Sequence, residues 1–186
     1  MSLPNITILS FGIFEQELLK NLAFAIQAEF GYPVNIQEAH LDISEFYDPA
    51  RRQYNGNALL KIIDTSTISD SIKIVGLFQV DLFIPILTFI FGQAFLDGRS
   101  AIASVYRLCN ERYGMNQNNP LLMERIEKEL IHELGHTFGL LHCDNPICVM
   151  RSSTYLEDVD QKRKNLCQSC QTKLAIKGVK PMKTDQ

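Results

Sequence analysis

Residues 132–142 read His-Glu-Leu-Gly-His-Thr-Phe-Gly-Leu-Leu-His, and this run constrains the chain most because it sets three of its four histidines at spacings that suit one metal ion. On a helix, residues four apart lie one turn above each other, so His132 and His136 face one cleft. Glu133 is offset by about 100° and can reach a water on the metal without competing for the metal itself. That makes Glu133 the candidate general base. Gly139 supplies the freedom for a left-handed exit from the helix, and the turned chain lets His142 close the coordination. Three neutral imidazoles leave the fourth tetrahedral position of a zinc ion to water, whose pKa falls from about 15.7 towards roughly 7. The expectation is a zinc hydrolase. Histidines merely hydrogen-bonded on a core helix would not need this register.

Four of the five cysteines follow at once: Cys143, Cys148, then the C-x-x-C pair Cys167 and Cys170. Two thiolate pairs separated by a loop match a Cys₄ structural zinc site, in which the metal contributes to folding. The alternatives are a pair of disulfides or a redox-active C-x-x-C. A redox motif normally opens a helix after a strand in a βαβ unit, and no such context surrounds Cys167. Two zinc ions per chain are expected, one catalytic and one structural.

The string H-E-x-x-H-x-x-G-x-x-H-C-x-x-x-x-C-x-M followed by C-x-x-C resembles the archaemetzincins, a family of metzincin-like metallopeptidases. Softer likenesses lie upstream at Tyr47 to Tyr54, Val80 to Pro85 and Gly98-Arg99-Ser100. The resemblance implies His132, His136 and His142 as catalytic zinc ligands and Glu133 as general base. It also implies Cys143, Cys148, Cys167 and Cys170 as ligands of the second zinc. Met150 becomes the methionine that forms an apolar floor beneath the three histidines, a task suited to a flexible, polarisable side chain. The gap from Met150 to Cys167 is one residue shorter than the family pattern, a change that costs a loop little. Tyr155 does not match the spacing of the tyrosine that assists catalysis in some metzincins.

The length and 46% hydrophobic content fit one globular domain. We divide it into an N-terminal lobe, 1–139, that includes the active-site helix, and a C-terminal part, 140–186, with the Met-turn and the cysteines. Net charge is −3 and pI near 5.8, so nothing draws the chain to nucleic acid or anionic membrane. The basic clusters Lys162-Arg163-Lys164 and Lys173 through Lys183 read as solvated surface and tail. No leader or span is visible, since residues 6–11 and 82–91 are too short. A cytoplasmic monomer is expected, in a compartment that keeps thiols reduced for zinc. Cys109, the odd cysteine, reads as a small buried residue.

Periodicity predicts strands over residues 6–11, 34–41, 72–78, 84–91 and 101–108. It predicts helices over 14–30 with Gly31 as stop, 58–63, 119 or 120 to 138, and 167–176. Residues 47–54 read as a polar turn, and everything from Gly139 to the last helix as loop. The order gives an α/β fold with a mixed sheet. The resemblance makes it a metzincin-like mixed twisted sheet with an active-site helix and a small C-terminal zinc-bound subdomain.

In that pattern an antiparallel edge strand pairs with extended substrate. The candidates are Ile84 to Phe91 or the bend from Gly92 to Gly98. Arg51, Arg52 and Arg99 are expected to be structural rather than holders of a substrate carboxylate, and His40 a strand histidine rather than a ligand. The leading functional expectation is a zinc metallopeptidase acting on peptide or protein. Its rival is a zinc-stabilised peptide-binding protein with a weak or inactive first site.

Overall fold

The computed structural model describes residues 3–66, 68 and 71–180; the end of the predicted basic tail, Lys183 included, lies outside them. Strand β1 (Asn5–Phe11) leads into helix α1 (Gln16–Phe30) and strand β2 (Val34–Glu38). A short hairpin of β3 (Tyr47–Asp48) and β4 (Gln53–Asn55) precedes α2 (Gly56–Thr65) and β5 (Ser71–Phe78). Then come β6 (Leu82–Phe83), β7 (Gly92–Ala94), β8 (Ser100–Ser104), the long α3 (Asn119–Thr137), α4 (Leu156–Gln161) and α5 (Gln168–Ile176).

The main sheet has the order β2-β1-β5-β8-β7, with β7 antiparallel to β8 and the other neighbours parallel. The predicted mixed sheet is therefore present, with its one antiparallel strand at the edge. A second sheet of β3, β4 and β6 lies beside it. Alternation along β1 builds two cores, one on each face of the sheet. Ile6 and Ile8 pack with Leu22 and Ile26 of α1 and with Leu130 and Leu134 of α3, while Leu9 packs with Leu59, Leu60 and Ile63 of α2.

Helix α3 starts where the sequence predicts, with the Asn118 side chain accepting from the Leu121 N–H at 3.1 Å and Pro120 in the first turn. It ends as predicted too: Gly139 has φ +84 and donates to the His136 carbonyl at 2.9 Å. Between these ends the helix is buried even at polar positions. Arg125, 2% exposed, forks onto both carboxylate oxygens of Asp160 at 2.7 Å and fastens α4 to α3. Glu29 of α1 does likewise, accepting from the Leu166 N–H and the Asn165 amide.

Several expectations are corrected. Residues 84–91 are not a strand: Pro85 brings no N–H, the Leu87 N–H turns back to the Ile84 carbonyl, and only Ile90 bridges to Leu82. Arg51 takes the Leu87 and Pro85 carbonyls, and Gln53 takes that of Thr88, so side chains satisfy this loop where a ladder was expected. The strand expected over 101–108 ends at Ser104, whose hydroxyl accepts the Tyr106 N–H and starts a 3₁₀ turn. The strand expected to reach residue 41 ends at Glu38, leaving His40 in an exposed loop. Helix α4 lies inside the expected loop. Lys162, read as solvated, is 2% exposed. Cys109 is half-buried, its thiol pushed up by burial. Among the described residues no helix is long and apolar enough to cross a membrane.

Candidate metal centres and active-site cleft

His132 and His136 come from the last turns of α3 and His142 from the chain just beyond it, and their ligand nitrogens lie within 4.8 Å of one another. The tautomers follow from hydrogen bonding. His132 Nδ1 lies 2.8 Å from the Val149 carbonyl and His136 Nδ1 lies 2.7 Å from that of Leu140. A carbonyl only accepts, so each Nδ1 carries the proton and each neutral ring presents a bare Nε2. Those two Nε2 atoms stand 3.1 Å apart, lone pair facing lone pair. Such an arrangement is repulsive without a cation, and it is near the roughly 3.3 Å edge of a tetrahedron with zinc–nitrogen bonds of about 2.0 Å. Burial holds all three imidazoles below their ordinary range, His132 well below, with the Lys162 charge acting in the same direction. They therefore stay neutral, as metal ligands must.

Met150 is fully buried and packs its sulfur against Gly135, where a Cβ would collide with it. Glycine between the two helical histidines is thus what lets the methionine come close beneath them. Glu133, 5% exposed, lies against edge strand β7: a Cβ on Gly92 would meet its Cγ at 2.7 Å and Oε1 at 2.8 Å. Burial pushes the Glu133 carboxyl well above its ordinary value, the Glu129 charge adds to this, and Lys162 opposes it. The three histidines and Glu133 line one cleft of about 600 Å³, so the first site is not closed. Its rim is apolar, with Leu87, Leu96, Leu141 and Tyr155 exposed.

The cysteines form the second cluster, Cys143 to Cys167 at 3.7 Å and Cys148 to Cys170 at 3.8 Å, all four sulfurs within 4.8 Å. These distances are nearly twice a disulfide bond and match the edge of about 3.8 Å expected of a tetrahedron with zinc–sulfur bonds of about 2.3 Å. Burial pushes Cys167 up, but the Cys170 N–H and the neighbouring thiols that hydrogen-bond to it bring it down to about 7. Burial and the Cys148 charge push Cys170 up. One thiolate is favoured and further negative charge resisted, which is the electrostatics of a cluster that needs a cation. The two clusters call for two zinc ions per chain.

The remaining candidates fall outside both clusters. His40 belongs to neither. Arg51 and Arg99 bind backbone carbonyls, Arg99 those of Ser66, Ile68 and Ser71, and Arg52 turns the chain at φ 58. Tyr155 stands on the lip of the cleft, exposed. Gly92 opens β7 within the second of the two expected edge segments, but its close approach to Glu133 was not expected from the sequence, nor was the placing of Glu129 and Lys162 beside the site. The only signal was the four-residue step from Glu129 to Glu133, which puts both carboxylates on one face of α3.

The model of peptidase family M54 matches residues 25–176. An archaemetzincin of Thermococcus kodakarensis is 37% identical over 175 residues, covering 91% of this chain and 94% of that protein. One from Methanocaldococcus jannaschii is 36% identical over 168 residues, covering 90% and 91%. The crystal structure of the archaemetzincin of Methanopyrus kandleri superposes with a TM-score of 0.83 at 33% identity, covering 94% of each chain. On that family match and those identities, the chain belongs to peptidase family M54, the archaemetzincins, and is a zinc metallopeptidase.

Proposed function

We propose that this peptidase binds an extended peptide along β7 and cleaves it at the histidine cluster, with Glu133 as general base. The observation that carries this reading is the pair of bare Nε2 atoms 3.1 Å apart at the floor of an open cleft, with Glu133 beside them. His132, His136 and His142 would hold the catalytic zinc; Cys143, Cys148, Cys167 and Cys170 would hold the structural one. A bound zinc supplies a Lewis acid that polarises the scissile carbonyl and makes water acidic near neutral pH. Glu133 then accepts the proton of the attacking water and delivers it to the leaving amine. β7 is the edge strand of the sheet, paired there with β8 alone, which is where an extended peptide would add antiparallel.

The chain acts as one domain in this reading, with an N-terminal lobe, 1–139, and a C-terminal part, 140–186. Support comes from a core that α1, α3 and Val149, Leu156 and Leu174 share. Action in a reducing compartment such as the cytoplasm fits cysteines placed for metal and not for disulfides. Elemental analysis of protein purified without added metal, paired with a peptide-library screen, tests the reading. Two zincs in the wild type, one in His136→Ala and cleavage lost in that variant are expected. Cleavage that survives the loss of the histidine-bound zinc would overturn it.

A further inference from the structure

The end of α3 that carries His136 meets the turn joining β7 to β8, and two successive carbonyls of the helix take donors from outside it. The His136 carbonyl accepts the Asp97 N–H at 2.9 Å, and that of Thr137 accepts Lys73 Nζ at 2.7 Å. Lys73 Nζ also donates to the Gly98 carbonyl at 2.6 Å and stands 4.8 Å from the centre of the Phe138 ring. Lys73 belongs to β5, where alternation puts it on the face of Val75 and Leu77, towards α3. One half-buried ammonium thus joins a central strand, the turn and the end of the helix.

A cation is favourable at a helix C-terminus, whose last carbonyls have no partner within the helix. A plain cap would need nothing more, yet Lys73 gives a second proton to the hairpin. Burial pulls its pKa down, with the Asp97 charge opposing the shift, so the contact is held against a desolvation cost. The hairpin in turn bears on the cleft, because Gly92, Gln93, Ala94 and Leu96 all line it. Gly92, at the start of β7, lies against Glu133; Ala94, at its end, leads into the turn. A peptide added antiparallel to β7 would therefore set its reacting bond near Gly92 and its N-terminal residues beside the turn.

We infer that Lys73 is a positioning residue, which fixes the β7–β8 turn against the histidine helix and so sets the stretch of β7 that receives substrate residues on the N-terminal side of the scissile bond. The inference rests on the peptidase reading above, in which the peptide adds along β7. Lys73 touches neither the reacting atoms nor the metal ligands' side chains; it acts through the Gly98 and Thr137 carbonyls. Its loss lets the hairpin tip shift, and Ala94 and Leu96 with it, while the Gly92 end stays packed against Glu133. A displacement of about 1 Å is enough to spoil the fit of an extended substrate.

The test uses two peptides with the same scissile bond, a short one with a single residue before that bond and a long one with three more residues on the N-terminal side. In the wild type the extension should raise kcat/KM by about tenfold or more, the worth of two backbone hydrogen bonds. In Lys73→Met that gain should fall to about threefold or less, through a raised KM for the long peptide and with a smaller effect on the short one. Lys73→Gln, which keeps two donors at a shorter reach, should show the same loss in milder form and guards against a Met variant that does not fold. A lysine with only a structural role would lower Tm and act on both peptides alike. Titrating both peptides into zinc-loaded Glu133→Ala by calorimetry, with and without the Lys73 substitutions, reads the same gain as binding and needs no turnover. A wild type that gains nothing from the extension, in cleavage and in binding, overturns docking along β7 and this inference with it. A gain that survives both Lys73 substitutions in full, or a loss shared equally by the short peptide, overturns this inference alone.

Discussion

The histidine cluster and the cysteine cluster are built from opposite kinds of chain. Two of the three histidines stand on a buried 19-residue helix with caps at both ends, and their rings are aimed by carbonyls of the protein itself. The cysteines come from loops and from the first turn of a short helix, α5, whose N-cap is Cys167. Where secondary structure already fixes the donors, a metal is free to keep an open position and do chemistry. Where the chain has little regular structure of its own, the metal takes all four positions and holds the fold.

The sharpest way to break this contrast is Glu133→Ala. Activity should fall by about 10²- to 10⁴-fold with both zincs retained by elemental analysis. A variant that kept full activity would mean that the helix-borne site does not use this carboxylate. Cys167→Ser should act on the other side of the contrast, losing one zinc and about 3 kcal/mol of stability, a fall of roughly 6–12 °C in Tm. An unchanged melting curve with both zincs bound would show that the cysteine knot is not structural.

Two smaller effects sharpen the picture at the histidine site. Gly92→Ala should lower kcat up to about 10²-fold while zinc stays bound, because the new methyl group meets Glu133 and the rigid Ile102 carbonyl, which lies 2.7 Å from the Cβ position. Normal turnover would show that β7 gives way without moving the base. The last prediction concerns pH. Burial keeps His132 neutral when folded, whereas unfolded it takes a proton near pH 6.5. The stability it contributes is therefore present above about pH 6.5 and lost as the pH falls below that, by at most about 1.4 kcal/mol per pH unit. Denaturant midpoints of protein stripped at the histidine site by a mild chelator should show this decline, and a flat profile down to pH 5 would contradict it.

These sites were legible in the sequence to unequal degrees. The α3 histidines, the Gly139 exit and the cysteine pairs announce themselves because helical period and ligand spacing are local properties. The loop over residues 84–91 did not, because its apolar run imitates a strand, and the Arg51 and Gln53 side chains that satisfy it lie more than thirty residues earlier. Lys162 was misread for a related reason. Beside Arg163 and Lys164 it looks like one of a solvated trio, and only the packing of α4 against α3 buries it alone. The apposition of Gly92 and Glu133 joins residues from distant segments, with nothing local to mark it.

His142 and Cys143 are consecutive residues, one in each cluster. Once the cysteines have closed on their ion, the neighbouring imidazole no longer searches a loop's worth of conformations before meeting the two on α3, and that ordering entropy is no longer charged to the second metal. Uptake of zinc should therefore be hierarchical, knot first and cleft second. In scarcity the order reverses, and the chain passes through a form with one ion that is folded, recoverable and silent.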